Sequence, residues 1–223
     1  MNQFSFDLFW SMRSPYCYLA LDRLLEIRER FDVDIKVRVV YPLAIRQPEF
    51  FKVRASKHYR SYSLLDTQRW SKYLKVPFRR PVPDPIVQEL STGVVADQQP
   101  YIYSLTRTAE LATQAGKGIE FLDQVVRMLW DGATDHWHEG DHLSRAINRA
   151  GLDGETLLEQ AETDVDRIDA AIATNEADQE KSGHSGTPLM VFKGEPFFGQ
   201  DRIELLMWRL NESGIRKRRK SDG

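Results

Sequence analysis

Residues 14–17 read Ser-Pro-Tyr-Cys, the spacing of a redox Cys-x-x-Cys with an oxygen where the first sulfur would stand. Cys17 is the only cysteine among 223 residues. The chain alone therefore has no internal disulfide and no dithiol chemistry. Serine is a favoured helix N-cap and proline is over-represented at the next position, so capping accounts for Ser14-Pro15 on local grounds. The same geometry has a chemical use. A helix N-terminus presents unpaired N–H groups and about half a positive charge, and it stabilises an anion placed there. A cysteine in that place becomes a more acidic thiol. A serine has no sulfur to ionise, but its hydroxyl can donate a hydrogen bond to a thiolate brought by a ligand, and glutathione is the obvious cytoplasmic thiol. Cys17, one turn further on, reads first as a small apolar core residue.

Two distant stretches carry compatible chemistry. Gly186-Thr187-Pro188 opens an apolar run. Proline is tolerated at the first residue of a strand, and an X-Pro bond adopts the cis form at modest cost. A cis Thr187-Pro188 bond would present the N–H and C=O of Thr187 to an extended ligand that pairs as an added strand. Gly199-Gln200-Asp201 precedes a helical pattern. An ordinary helix start with an acid in its first turn explains it. As a binding feature, Asp201 suits an ammonium, and Gln200 with the N–H groups of the helix start suits the carboxylate of an α-amino acid group.

The elements that must position these residues follow from periodicity. Phe4 to Trp10 is aromatic-rich and partly alternating, as in a strand. Tyr16, Ala20, Leu24, Ile27 and Phe31 recur at helical spacing. Val33, Ile35, Val37 and Val39 alternate strictly, giving a second strand and a right-handed βαβ unit. From about Phe50 to Ser182 the pattern is helical: residues 61–74, a helix begun by Pro100, another over Ile119 to Trp130, a short one stopped by Gly151, and two more between Glu155 and Lys181. The proline-rich stretch 76–85 is an extended loop. Strand signal returns at Thr187 to Phe192, turns at Lys193-Gly194-Glu195, and continues in Pro196 to Phe198 before a last helix with Ile203, Leu206, Met207 and Leu210 on one face. A βαβ unit, over a hundred helical residues and a ββα unit predict an α/β fold. It is a thioredoxin-like four-stranded mixed sheet with a large all-helical insertion. The expected division is 1–48 plus 184–213 for the sheet domain, 49–183 for the insertion, and 214–223 for a basic disordered tail.

Composition bounds the function. The chain is 41% hydrophobic and 29% charged with a net charge of -2, which suits a globular protein and argues against a general nucleic-acid binder. No run of about 18 apolar residues exists, so no membrane span is expected. The N-terminus lacks the pattern of a secretory signal, and a cytoplasmic protein is expected. His136, His138 and His142, with Asp135, Glu139 and Asp141, are near one another, but their spacing is not that of a metalloprotease helix, and a solvated loop before a helix is the simpler reading. No metal is expected. Tyr59, Arg60, Tyr62, Arg69 and Trp70 suit either a substrate channel or the outer face of the insertion.

The segments FDLFWSMRSPYCYLA, SYSLLDTQRWSKYLKVPFRRP, GDHLSRAINRAGLD and SGTPLMVFKGEPFFGQDRIELL resemble the 2-hydroxychromene-2-carboxylate isomerase family. That family is related to the kappa-class glutathione transferases within the wider DsbA-like group, and the resemblance covers most of residues 4 to 212. It implies that Ser14 contacts the sulfur of bound glutathione, that Thr187 before Pro188 pairs with the tripeptide backbone, and that Gln200 and Asp201 bind its γ-glutamyl end. It implies glutathione as cofactor and an aromatic, electrophilic small molecule as substrate. In the isomerases the thiolate adds, the ring opens, the product geometry changes and the thiol is expelled; in the transferases the sulfur stays attached. Relatives are often dimers. The sequence departs from the family pattern at Arg13, at Cys17 and at Thr187, and Arg13, Tyr16 and Cys17 are secondary site candidates. Two other readings stand beside this one: a DsbA-like thiol-disulfide oxidoreductase working through Cys17, and a thiol-binding relative without chemistry.

Overall fold

The computed structural model describes residues 4–49, 57–89 and 92–218. Four strands, β1 (Phe4–Trp10), β2 (Val33–Val39), β3 (Leu189–Phe192) and β4 (Glu195–Phe198), form one sheet in the order β2-β1-β3-β4. The β1–β2 pair is parallel, in register from Phe4 opposite Val33 to Trp10 opposite Val39. β3 runs antiparallel to both β1 and β4. Helix α1 (Pro15–Arg30) makes the crossover between the parallel strands. This is the expected mixed sheet, with two halves far apart in sequence and paired in space.

Each element forms for a local reason. β2 alternates buried Val33, Ile35, Val37 and Val39 with more exposed partners, so one face joins the core. α1 buries Cys17, Tyr18, Leu19, Ala20, Leu21, Leu24 and Ile27. Its large aliphatic side chains each stabilise by about 2 kcal/mol on burial. That burial, rather than propensity, fixes the helix against the sheet. Arg28 and Arg30 lie in its last turn, where cations suit the helix dipole.

Between β2 and β3 the described residues are largely helical: α2 (Leu43–Arg46), α3 (Lys57–Leu74), α4 (Ile102–Gln114), α5 (Gly118–Phe121), a π turn over Leu122–Val126, α6 (Arg127–Trp130), α7 (His142–Arg149), α8 (Gly154–Thr163) and α9 (Val165–Lys181). The continuous helix expected from Ile119 to Trp130 is thus interrupted by the π turn. A Gln200–Arg202 turn of 3-10 helix leads into α10 (Ile203–Glu212). Tyr18, Phe78 and Trp130 stack at 5.8 to 6.4 Å between centroids, which binds α1, the proline-rich loop and α6 together.

The expected disordered tail needs correction over its first residues. Asp32 N–H donates to Arg216 O, Arg218 N–H donates to Arg30 O, and the Arg218 guanidinium reaches Phe31 O. β2 is an edge strand, and residues 216–218 satisfy backbone groups where the chain enters it. Residues 219–223 lie outside the described residues. Among the described residues no helix is long and apolar enough to cross a membrane.

Candidate functional site

The first turn of α1 and the start of β3 meet. Ser14 is the N-cap, with extended backbone, and its Oγ accepts from Cys17 N–H at 3.3 Å. Its hydroxyl donates to the carbonyl of Thr187 at 3.2 Å, across 173 residues of sequence. The Thr187-Pro188 bond is cis. Ser14 and Thr187 are both half-buried, so a ligand can reach them. One hydroxyl thus caps a 16-residue helix and touches the residue before the proline.

Cys17 is fully buried. Burial pushes its thiol up to about 11, against smaller opposing effects from hydrogen bonds with Ser11, Ser14 and Thr187. At neutral pH it is a protonated core thiol, which is neither nucleophile nor metal ligand.

The other predicted residues divide. Arg13 turns from Ser14 to the proline-rich loop, where Nε and Nη2 contact both oxygens of Asp84 at 3.1 and 3.2 Å and Nη2 also reaches Gln88. Arg80 donates to the same carboxylate at 2.6 Å. Burial alone would raise the Asp84 pKa, but Arg13, then Arg80 and the Ile86 N–H, hold it below the usual carboxylate range. The unusual charge at position 13 is therefore a tether. Tyr16 donates to Asp66 of α3 at 2.8 Å, and burial followed by that bond raises its pKa. These contacts set α3 and the loop at 77–89 as a roof beside Ser14. Tyr59, Tyr62 and Tyr73 of α3 are more than half exposed, whereas Trp70 packs on the core and edge-on to Tyr73. The side chain of Arg60 lies outside the described residues.

Gln200 and Asp201 are near α1, but in different roles. Gln200 is 2% exposed, and its amide oxygen accepts from Arg23 of α1. Its side chain therefore faces inward, a correction to the expectation that it contacts a ligand directly. Asp201 is exposed and pairs with Arg202 at 2.6 Å. The turn needs Gly199, whose φ is +104° and whose added Cβ would strike the Asp201 carboxylate. Arg23 went unnoticed in the sequence. Burial lowers its pKa, and the acids Glu204 and Asp201 oppose that shift. A basic residue two turns into an otherwise apolar helix face was the available signal.

His184 is not a free base. Its Nδ1 accepts from Gly186 N–H at 2.9 Å and its ring stacks on Phe198 at 3.7 Å. Gly186 fits there because a side chain would collide with those two rings. His136 and His138 lie by Glu139, and His138 packs on Tyr101. No group of three or more His, Cys, Asp or Glu side chains among the described residues could hold a metal ion. Two surface hollows, about 350 Å³ along Phe4 to Asp7 and Val191 to Gly194 and about 300 Å³ between Tyr101, His138 and Leu158, include neither Ser14 nor Thr187.

Comparison with solved structures supports the fold. A 2-hydroxychromene-2-carboxylate isomerase superposes with a TM-score of 0.71 at 16% identity, covering 94% of this chain and 95% of the other. A probable DsbA oxidoreductase from Streptomyces coelicolor gives 0.66 at 16%, covering 94% and 89%. The cytosolic disulfide reductase DsbM from Pseudomonas aeruginosa, solved with GSH, gives 0.54 at 16%, covering 93% and 99%. Among curated proteins no match is found. Residues 6–211, which hold both strand pairs, Ser14, the Thr187-Pro188 bond and the Gly199 turn, match the DSBA-like thioredoxin domain, and the chain belongs to that family.

Proposed function

We propose that this protein is a glutathione-dependent enzyme that adds a bound thiolate to an aromatic, electrophilic small molecule. Its mode is isomerisation when the thiol is expelled again and transfer when the sulfur stays. The observation that carries this reading is the Ser14 hydroxyl, held at the N-terminus of α1 and already donating to Thr187 O. It occupies the place where a Cys-x-x-Cys would carry sulfur. The sulfur then comes from the ligand. The Ser14 proton turns from Thr187 O to the thiolate, and the released carbonyl accepts an N–H of the tripeptide. Helix dipole and hydroxyl both favour the anion, so the bound thiol ionises at lower pH. The γ-glutamyl end lies by Asp201 and the backbone of the Gly199–Arg202 turn. Its ammonium replaces Arg202 as partner of the carboxylate.

The roof supplies the electrophile's surroundings, with the rings of Tyr59 and Tyr62 suited to an aromatic partner. A reducing compartment such as the cytoplasm supplies the ligand in its thiol form. The DsbM neighbour solved with GSH supports the ligand class as a precedent on this fold. Oxidoreductase chemistry through Cys17 draws no support from its burial.

The test is a calorimetric glutathione titration with ultraviolet thiolate absorbance followed against pH, on the native protein and Ser14→Ala. Native protein is expected to bind and to hold the sulfur as thiolate near neutral pH, and the variant to bind with a higher thiol pKa. No glutathione binding by the native protein overturns the reading.

A further inference from the structure

Four successive carbonyls precede and enter β3, and each accepts one hydrogen bond from a different part of the chain. Ser185 O accepts from Arg46 Nη2 at 2.8 Å. Gly186 O accepts from Gln179 Nε2 at 2.9 Å. Thr187 O accepts from the Ser14 hydroxyl at 3.2 Å. Pro188 O accepts from Gly199 N–H at 2.9 Å. The donors differ in accessibility. Gln179 is wholly buried and the Arg46 side chain is 9% exposed, whereas Ser14 is half-buried. Of the three side-chain donors, Ser14 is the one placed to be exchanged with a ligand.

The two buried donors are themselves fixed. Arg46 ends α2, and its Nε donates to Tyr41 O at 2.7 Å. It also faces Glu176 of α9 at 3.8 Å, and Glu176 accepts from Tyr41 N–H at 2.9 Å. Glu176 and Gln179 are three residues apart on α9, so one helix face serves both Arg46 and the loop. Asn175, beside them, is buried and donates to Val39 O and to Glu110. The last helix of the insertion is therefore bolted to the end of β2 and to the loop before β3.

We infer that Arg46 and Gln179 are positioning residues of the Ser14 site, which hold residues 185 and 186 so that the Ser14 hydroxyl and the Thr187 carbonyl meet. Neither touches the ligand. Their role is to keep the loop in place when the Ser14 proton leaves Thr187, so that the freed carbonyl stays aimed at the incoming N–H. A donor fixed in advance needs no reorganisation when charge arrives. The inference rests on the thiol-site reading for its purpose and on the free protein for its geometry.

The experiment uses the full chain with Gln179→Met, which keeps length and loses the donor, and Arg46→Lys, which keeps charge and loses the fork that serves Tyr41 and Ser185 together. Ser182→Ala, at the same helix end, is the control for local fraying, since Ser182 Oγ donates to Asp178 O of α9. Carbon-13 resonances of the Thr187 carbonyl are recorded without ligand. Glutathione affinity and bound-thiol pKa are then measured, with melting temperatures alongside. Both variants are expected to shift the Thr187 carbonyl resonance, to weaken glutathione binding about tenfold and to raise the thiol pKa. Ser182→Ala is expected to do none of these. An unmoved Thr187 resonance in both folded variants overturns the inference. So does a moved resonance with an unchanged thiol pKa, which would make the pair supports of the loop and not of the site. If the native protein binds no glutathione, the proposed function fails by itself, and the ligand-free resonance alone decides the positioning of Thr187.

Discussion

The floor and the roof of the site are held in different ways. The floor is the loop entering β3, where buried side chains and backbone secure one carbonyl after another. The roof is α3 and the loop at 77–89, secured by Tyr16 to Asp66 and by Arg13 and Arg80 to Asp84, all at partly exposed positions. The floor's side-chain donors Arg46 and Gln179 are buried and their hydrogen bonds lose little to water, although Arg46 also faces the Glu176 carboxylate. Partly exposed ion pairs respond to salt and pH. The difference suggests a division of labour. Stabilising a thiolate needs a donor that does not move, and admitting an electrophile needs a cover that can.

Removing the floor's exchangeable donor tests that division most severely. Ser14→Ala is expected to cut turnover on the order of a hundredfold, as for loss of one preorganised donor to a developing anion. It also removes an N-cap, at a cost of about 1 kcal/mol, which denaturant unfolding measures separately. A rate loss no larger than that of a roof variant would erase the contrast. Ser14→Cys sharpens it from the other side. The new thiol would sit at the N-terminus of α1 with Cys17 one turn behind, so it is expected to ionise well below the usual thiol pKa of about 8.5, while Cys17 stays protonated. Thiolate absorbance against pH checks this. A variant whose exposed thiol titrates at the ordinary value would show that the helix end does not favour an anion.

Much of the floor was legible in the sequence because its parts are local. Ser14-Pro15 announces a cap, strict alternation from Val33 to Val39 announces β2, and Thr187-Pro188 before Leu189-Met190-Val191-Phe192 announces a strand start. That Ser14 and Thr187 serve one site was what the family resemblance implied, and the structure joins the two by a hydrogen bond. The supports were not legible. Arg13 and Asp84 are 71 residues apart, and neither charge advertises its partner. Arg46 and Gln179 carry no local sign of their role, and only tertiary packing makes them buried donors. Gln200 misled for the same reason: its inward turn depends on Arg23, 177 residues away in sequence. The π turn at Leu122–Val126 keeps the apolar spacing of a helix, so periodicity could not see it.

The roof should respond to acid through Asp84. Asp84 has its pKa depressed in the folded protein, so its stabilisation is present above the unfolded value of about 3.9 and is lost as pH falls through the lower folded value. Asp84→Asn is expected to cost on the order of 2 kcal/mol near neutral pH by taking the shared carboxylate from Arg13 and Arg80. The gap between native protein and variant should close as pH drops below the unfolded carboxylate value, in denaturant unfolding measured across that range. A gap that persists unchanged at low pH would mean that shape, not charge, holds the loop.

The smallest effect expected is also the most discriminating. Tyr16→Phe removes only the hydroxyl that reaches Asp66, at a cost of about 1 kcal/mol. It acts on the first turn of α1, two residues from Ser14, yet its partner belongs to the roof. If floor and roof are mechanically separate, amide exchange should rise along α3 while the Thr187 carbonyl resonance and the bound-thiol pKa stay at native values. If the thiol pKa follows the roof, the two regions form one unit, because Tyr16 stands on the helix turn that Ser14 caps. Closure over the electrophile would then itself set the acidity of the thiol, and binding of substrate and activation of sulfur would be a single event.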